Sequence, residues 1–182
     1  MLSLFWLLIE TLGSLLVSAC LLRVLASYVG LGRRDPVGQF LFAATEWLVA
    51  PLRKIVPENR ASDLPALVAA ILVCELMALV WALLVGGASI SALLLTALYW
   101  LTKWSLYLLI GIVILQAVLS WVNPNAPVAP ALDLLSRPFL APLRRIIPLL
   151  GGVDLSPLAV IIVAQLLLNA LGYLMFPLIG VR

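Results

Sequence analysis

Four stretches of this chain, residues 4–29, 64–87, about 97–122 and 155–178, are long and apolar enough to cross a hydrocarbon layer. A crossing of ~30 Å takes roughly 20 residues. Of the 182 residues, 65% are hydrophobic and 10% charged, against about 25% charged in an ordinary soluble domain. That leaves too little polar surface to face water, so the expected fold is an all-α membrane protein with four transmembrane helices. The first run is longer than a signal-peptide core and follows no basic segment, which makes it a retained helix. The third is open at its start. "SISALLLTALYW", ahead of Lys103, is either a separate interfacial helix within 88–102 or an extension of the span, with Gly86 and Gly87 breaking the chain before it.

Basic residues set the orientation. The 30–63 connection holds Arg33, Arg34, Arg53, Lys54 and Arg60, and the 123–154 connection holds Arg137, Arg144 and Arg145; the opposite side offers Lys103 and Arg182. Both connections are therefore expected in the cytoplasm, with both termini outside. The net charge of +3 belongs to that asymmetry rather than to nucleic acid, which is not an expected partner. Histidine is absent, which removes the commonest general acid/base and metal ligand. Cys20 and Cys74 lie inside apolar runs with no CxxC spacing and read as packing residues. No cofactor and no enzymatic activity are expected.

The connections carry an internal repeat. "APLRKIVP" at 50–57 returns as "APLRRIIP" at 141–148, six of eight positions identical at an offset of 91. The same offset carries Asp63 to Asp154, Leu64 to Leu155, Leu67 to Leu158 and Pro36-Val37 to Pro127-Val128; "RVLASYV" (23–29) matches "QAVLSWV" (116–122) at 93. The copies differ where "SYVG" stands against "SWVN" and "TEW" against "SRP". The chain reads as two units, 1–87 and 88–182, each a span, a connection and a span. An even number of crossings per unit makes this a parallel repeat, related by an axis along the membrane normal.

Within 36–57, Val37, Phe40, Leu41, Ala44, Trp47, Leu48, Leu52, Ile55 and Val56 recur at helical spacing; Val128, Leu132, Leu135, Phe139, Leu143 and Ile146 do so in the second copy. Each predicts an amphipathic helix lying in the cytoplasmic interface, one apolar face inward. Pro51 and Pro142 each start or kink a helix and Pro57 and Pro148 end the segment. Arg53-Lys54 and Arg144-Arg145 are placed to reach anionic lipid headgroups, each charge contributing about 1 kcal/mol. Asp63 and Asp154 open the second span of each unit as N-caps, either by capping alone or by also pairing with the arginine ten residues earlier, Arg53 or Arg144.

The doubled "APLRxIxP" phrase, the "DL" opening of the following span and the "LSW"-like end of the preceding one resemble the YggT (YlmG-like) family, as two tandem family repeats covering essentially the whole chain. Bacterial members of that family are linked to osmotic-stress tolerance and ion homeostasis, others to cell division or nucleoid distribution. Relatives in photosynthetic membranes look like assembly factors for covalent haem attachment to a b-type cytochrome. The resemblance thus implies an inner-membrane scaffold or assembly factor.

Ionisable groups inside the spans are functional candidates. Glu75 lies roughly 16 Å past the start of its span and Arg23 roughly 9 Å before the end of its own, at 1.5 Å per residue. An Arg23–Glu75 pair is expected, with Glu75 a structural clasp or a proton or ion relay. At the same offsets Arg23 becomes Gln116 and Glu75 becomes Leu166. Glu10 and Lys103 occupy equivalent places near the outer face and are expected to bridge the first and third spans. Gln165 and Asn169 sit one turn apart on the fourth span, as residues that hold membrane helices together do. Gly111 and Gly172 are candidate points of close helix contact. Two functions stay open: a non-enzymatic scaffold docking a protein partner, lipid or a second copy, and a small oligomeric channel or transporter subunit whose polar line includes Glu75, Gln116 and Gln165.

Overall fold

The computed structural model describes residues 2–32, 35–57, 63–87, 89–147 and 154–179, with side chains described from 4 to 175 within them. Arg33, Arg34, Arg60, Pro148 and Arg182 lie outside the described residues. Helices α1 (Leu2–Tyr28), α2 (Pro36–Leu52), α3 (Leu64–Val85), α4 (Ile90–Val122), α5 (Ala129–Arg144) and α6 (Ser156–Ile179) follow one another. The long ones, α1, α3, α4 and α6, are each apolar and long enough to cross a membrane.

The helix ends are written in the sequence. Asp35 accepts from the Val37 amide at 2.8 Å ahead of Pro36, which begins α2, and Asp63 accepts from the Ala66 amide at 3.2 Å ahead of α3. Gly86 and Gly87 take the left-handed conformation, φ 100° and 109°, and the Gly87 amide closes on the Ala82 carbonyl at 2.7 Å; glycine pays no Cβ penalty there. Ser89 then caps α4 through the Ala92 amide at 3.3 Å. The open question at 88–102 is settled: α4 runs unbroken for 33 residues, ~50 Å at the helical rise, so the extra turns extend the third span.

Pro51 and Pro142 neither start nor split a helix: each sits in the last turn of its connection helix. Beyond them the two copies fold alike, the Val56 amide bonding Leu52 and the Ile147 amide bonding Leu143, both at 2.8 Å. Pro57 lies exposed past this turn.

Within each unit the two long helices pack on each other, and the short helix lies against the end at which α1 and α4 finish and α3 and α6 begin, here called the linker end. The units join chiefly through α3 and α4. At the opposite end Trp6 of α1 meets Trp81 of α3 and Trp100 of α4, ring centroids 4.8 and 5.5 Å apart. Both the beginning of α1 and that of α4 therefore lie at this end, and the halves share one orientation.

The buried residues of α2 are Gly38, Leu41, Thr45 and Val49, whereas Phe40 and Trp47 are 73% and 66% exposed. The expected single inward apolar face is thus corrected in part: Val37, Leu41, Leu48 and Leu52 pack inward, whereas Phe40, Ala44, Trp47 and Ile55 are exposed. In α5 Ala131, Leu135, Ser136 and Leu140 are buried. Leu41 and Leu135 share one apolar cluster with Ala26 of α1 and Ile112 of α4, which draws both connection helices toward the centre. Cys20 and Cys74 are buried, and their thiols are free.

Gly13, not Gly111, marks the close helix contact. A Cβ at Gly13 would collide with Met77 Sδ, while nothing lies within 4 Å of one at Gly111. Gly13→Leu should cost about 1–3 kcal/mol by overpacking, read as a lower unfolding midpoint in detergent, and Met77→Ala in the same chain should restore part of it. An unchanged midpoint would mean that α1 and α3 do not approach this closely.

Candidate functional site

At the linker end Arg23 is 0% exposed. An arginine does not deprotonate in proteins, so burying it requires acceptors. Its Nε donates to Asp63 Oδ2 at 2.6 Å, and its Nη1 donates to Thr45 Oγ1 at 2.9 Å and Glu46 Oε2 at 3.0 Å. The guanidinium also stands 4.5 Å over the Phe42 ring, a favourable cation–π position. Thr45 in turn donates to the Leu41 carbonyl at 2.7 Å. Glu46 reaches a second cation, Arg53, with contacts of 2.6 and 3.2 Å. The chain Asp63–Arg23–Glu46–Arg53 alternates in sign and joins α1, α2, the turn after α2 and the cap of α3.

Two expectations are corrected here. Arg23 does not pair with Glu75: its partners are Asp63 and Glu46, and Glu75 is half-buried on α3 with no ion pair among the described residues. Asp63 caps its helix and is also ion-paired, but with Arg23 rather than Arg53. Sequence reasoning missed Phe42, Thr45 and Glu46. The signal available was the "TEW"/"SRP" mismatch, which places Arg137 where Glu46 stands in the first copy.

The second unit wires the same positions differently. Gln116 replaces Arg23 and Arg137 replaces Glu46, so Arg144 and Asp154, the counterparts of Arg53 and Asp63, lose their first-unit partners. They pair with each other: Arg144 Nε donates to Asp154 Oδ2 at 2.8 Å, and Asp154 Oδ1 accepts from the Ser156 amide at 2.9 Å. The alternative of cap plus arginine pair holds in this unit. Gln116 Oε1 is buried without a hydrogen bond among the described residues. It lines two clefts, one of about 260 Å³ with Ser120 and Asp133 and one of about 280 Å³ with Trp121, Arg144 and Asp154.

The remaining candidates are scattered. Lys103 Nζ stands 5.0 Å over the ring of Trp104, and no ion pair joins it to Glu10 among the described residues, so the expected bridge does not form. Gln165 and Asn169 are exposed on α6. Neither of the two clefts lined by Gln116 is also lined by Glu75 or Gln165. Lys54 and Arg145 are exposed past the ends of α2 and α5.

Arg23→Leu leaves Asp63 buried and unpaired, a loss of about 3–5 kcal/mol. Arg23→Leu with Asp63→Asn should recover part of it, because asparagine still caps, whereas adding Glu75→Gln should recover nothing; detergent unfolding of the three variants measures this. In the second unit burial pushes the Asp154 carboxyl up, but the hydroxyl and amide of Ser156 and the Arg144 guanidinium outweigh it and hold the carboxyl below its ordinary value. A lowered folded value stabilises above the unfolded pKa of about 3.9 and is lost as pH falls through the folded one. The Tm deficit of Asp154→Asn should therefore be largest above about pH 5 and shrink on acidification.

The profile of the CCB3/YggT family matches residues 1–84 and 95–175, one segment in each half of the chain. An uncharacterized protein of Pseudomonas aeruginosa is 34% identical over 173 residues, covering 90% of this chain and 88% of its own. One of Vibrio alginolyticus, encoded in the proC 3′ region, is 34% identical over 162 residues, covering 87% and 88%. The uncharacterized protein YggT of Escherichia coli is 26% identical over 178 residues, covering 93% and 94%. No solved structure matches. With both halves matched and relatives similar along most of their length, the chain belongs to the CCB3/YggT family.

Proposed function

We propose that this protein is a non-enzymatic scaffold or assembly factor of the bacterial inner membrane, acting in osmotic-stress tolerance or the biogenesis of a membrane complex. The observation that carries the reading is the fixed placement of the connection helix α2. The buried Arg23 network holds one face of it to the bundle, which leaves Phe40 and Trp47, with Ile55 beyond the helix end, turned outward. Exposed aromatic and apolar groups, together with the exposed cations Lys54, Arg137 and Arg145, suit the headgroup layer, where rings sit at the boundary and cations meet phosphate. On this reading α2 and α5 are amphipathic platforms on the cytoplasmic face, docking anionic lipid and a protein partner.

The first-unit cations Arg23 and Arg53 are spent on Glu46 and Asp63, and Arg144 on Asp154. Lipid contact at the described residues then falls to Lys54, Arg137 and Arg145, fewer than the four motif cations suggested. The second reading, a channel or transporter subunit, draws on Glu75, a carboxyl midway along a spanning helix with no ion pair among the described residues.

Ion flux in liposomes of anionic and zwitterionic lipid separates the two. The scaffold reading expects flux no greater than in empty liposomes; flux that Glu75→Gln abolishes overturns it. Cells lacking the protein should regain survival of osmotic shock from the wild type, but not from Phe40→Ala/Trp47→Ala/Ile55→Ala with wild-type unfolding. Lys54→Cys should resist an impermeant thiol reagent in intact cells, and prompt labelling would place the linker end outside.

A further inference from the structure

Gln165 and Asn169 lie 9 and 13 residues past the start of α6 at Ser156, roughly 14 and 20 Å into the span at the helical rise. Both are exposed and neither makes a hydrogen bond among the described residues. Hydrocarbon offers an amide no donor or acceptor, so such a face is costly until another helix covers it.

The repeat says what covers it. At the offset of 91 these positions match Cys74 and Ala78 of α3, which are 0% and 1% exposed. Cys74 and Ala78 belong to the apolar cluster that includes Ala97 of α4, with Trp100, Leu101 and Trp104 packed against it. The cluster also holds Val17 and Cys20 of α1, so in the first unit this face is closed by α1 together with the beginning of the next unit. α6 ends the second unit, and nothing among the described residues seals the matching face. The converse holds at the other end. At the offset of 93, Ala97, Trp100 and Leu101 match Leu4, Leu7 and Leu8 of α1, which are 67%, 58% and 59% exposed. The contact between units is head to tail, and the described residues leave one uncovered surface of each kind.

We propose that a second copy of this chain fills them. Its α1 seats on α6 as α4 seats on α3, so that copies associate head to tail in one membrane orientation. A contact of this heterologous kind closes into a ring when the rotation per step allows it and otherwise continues. Gln165 and Asn169 are the polar part of the joint. Thr11 of α1, which matches Trp104 at the offset of 93, donates its hydroxyl to the Leu7 carbonyl at 2.7 Å. Its oxygen keeps lone pairs with which to accept from an incoming amide N–H. Interhelical amide bonds of this type are modest singly and act in numbers.

The test uses the full chain in liposomes. One variant carries Asn169→Cys and another Leu8→Cys, the counterparts of Ala78 and Leu101; the native cysteines are buried and stay in place. Mild oxidation of the mixture should join the two variants to each other in preference to Asn169→Cys with itself. In an otherwise unchanged chain fused to a fluorescent protein, Gln165→Leu/Asn169→Leu should weaken association in the bilayer roughly tenfold or more with unchanged helicity, read by counting photobleaching steps against protein density. Three results overturn the proposal: single copies at every density, crosslinking dominated by Asn169→Cys with itself, or association indifferent to loss of both amides. Copies that pair only when a different protein is added overturn it as well.

Discussion

A guanidinium that cannot lose its proton sits fully buried where three elements meet, and much of the architecture follows from satisfying it. Arg23 comes from α1, Asp63 from the cap of α3, and Thr45 and Glu46 from α2. No pair of these elements can shift without separating opposite charges in a medium that screens them poorly. The same contacts set the roll of α2 about its axis, because Thr45 and Glu46 must both point at Arg23. That roll decides which residues face away from the bundle: Phe40 and Trp47 turn outward because their side of the helix is opposite the clasp.

Duplication supplied two copies of this corner, and divergence rewired one of them. Replacing one cation by a neutral amide and one carboxylate by a cation leaves two unlike charges without their original partners, and Arg144 and Asp154 find each other. The result is an inward clasp in one half and an outward, partly exposed pair beside an unsatisfied Gln116 in the other. The exchange conserves pairing while moving charge from the interior of the bundle to its surface. One half is thereby tied down, and the other keeps polar groups facing two open clefts.

The four spans, the Gly86–Gly87 break, the aspartate caps and the parallel repeat were all legible in the sequence, because each depends on local chemistry or on spacing along the chain. The partner of Arg23 was not. Counting residues gives the height of a Cα in the membrane, and by height Glu75 was within reach. A long cationic side chain, however, bends its head toward the membrane boundary, and there Asp63 waits at the start of α3. Rotation about each helix axis was equally hidden. The apolar spacing of α2 located the helix but not its inner face, which combines Gly38 and Thr45 with Leu41 and Val49. Gln165 and Asn169 were visible as a pair; their exposure and their match to buried Cys74 and Ala78 required the structure.

The two halves also differ in how their long helices are held. The first pair is fastened at three levels: the charge clasp at the linker end, the Gly13–Met77 approach in the middle, and the Trp6–Trp81 contact at the far end. In the second unit Arg23 is replaced by Gln116, Trp6 by Tyr99 and Trp81 by Gly172, so neither fastening at the two ends can be rebuilt from the same parts. What joins α4, α5 and α6 there includes a small apolar cluster of Val113, Leu140 and Val160. Dispersion between such side chains is non-directional and tolerates small slides, whereas a buried ion pair or a stacked indole does not. Local stability should follow the fastenings, with the second unit opening at lower free energy than the first. The half with fewer of these fastenings is also the one whose last helix carries uncovered amides among the described residues.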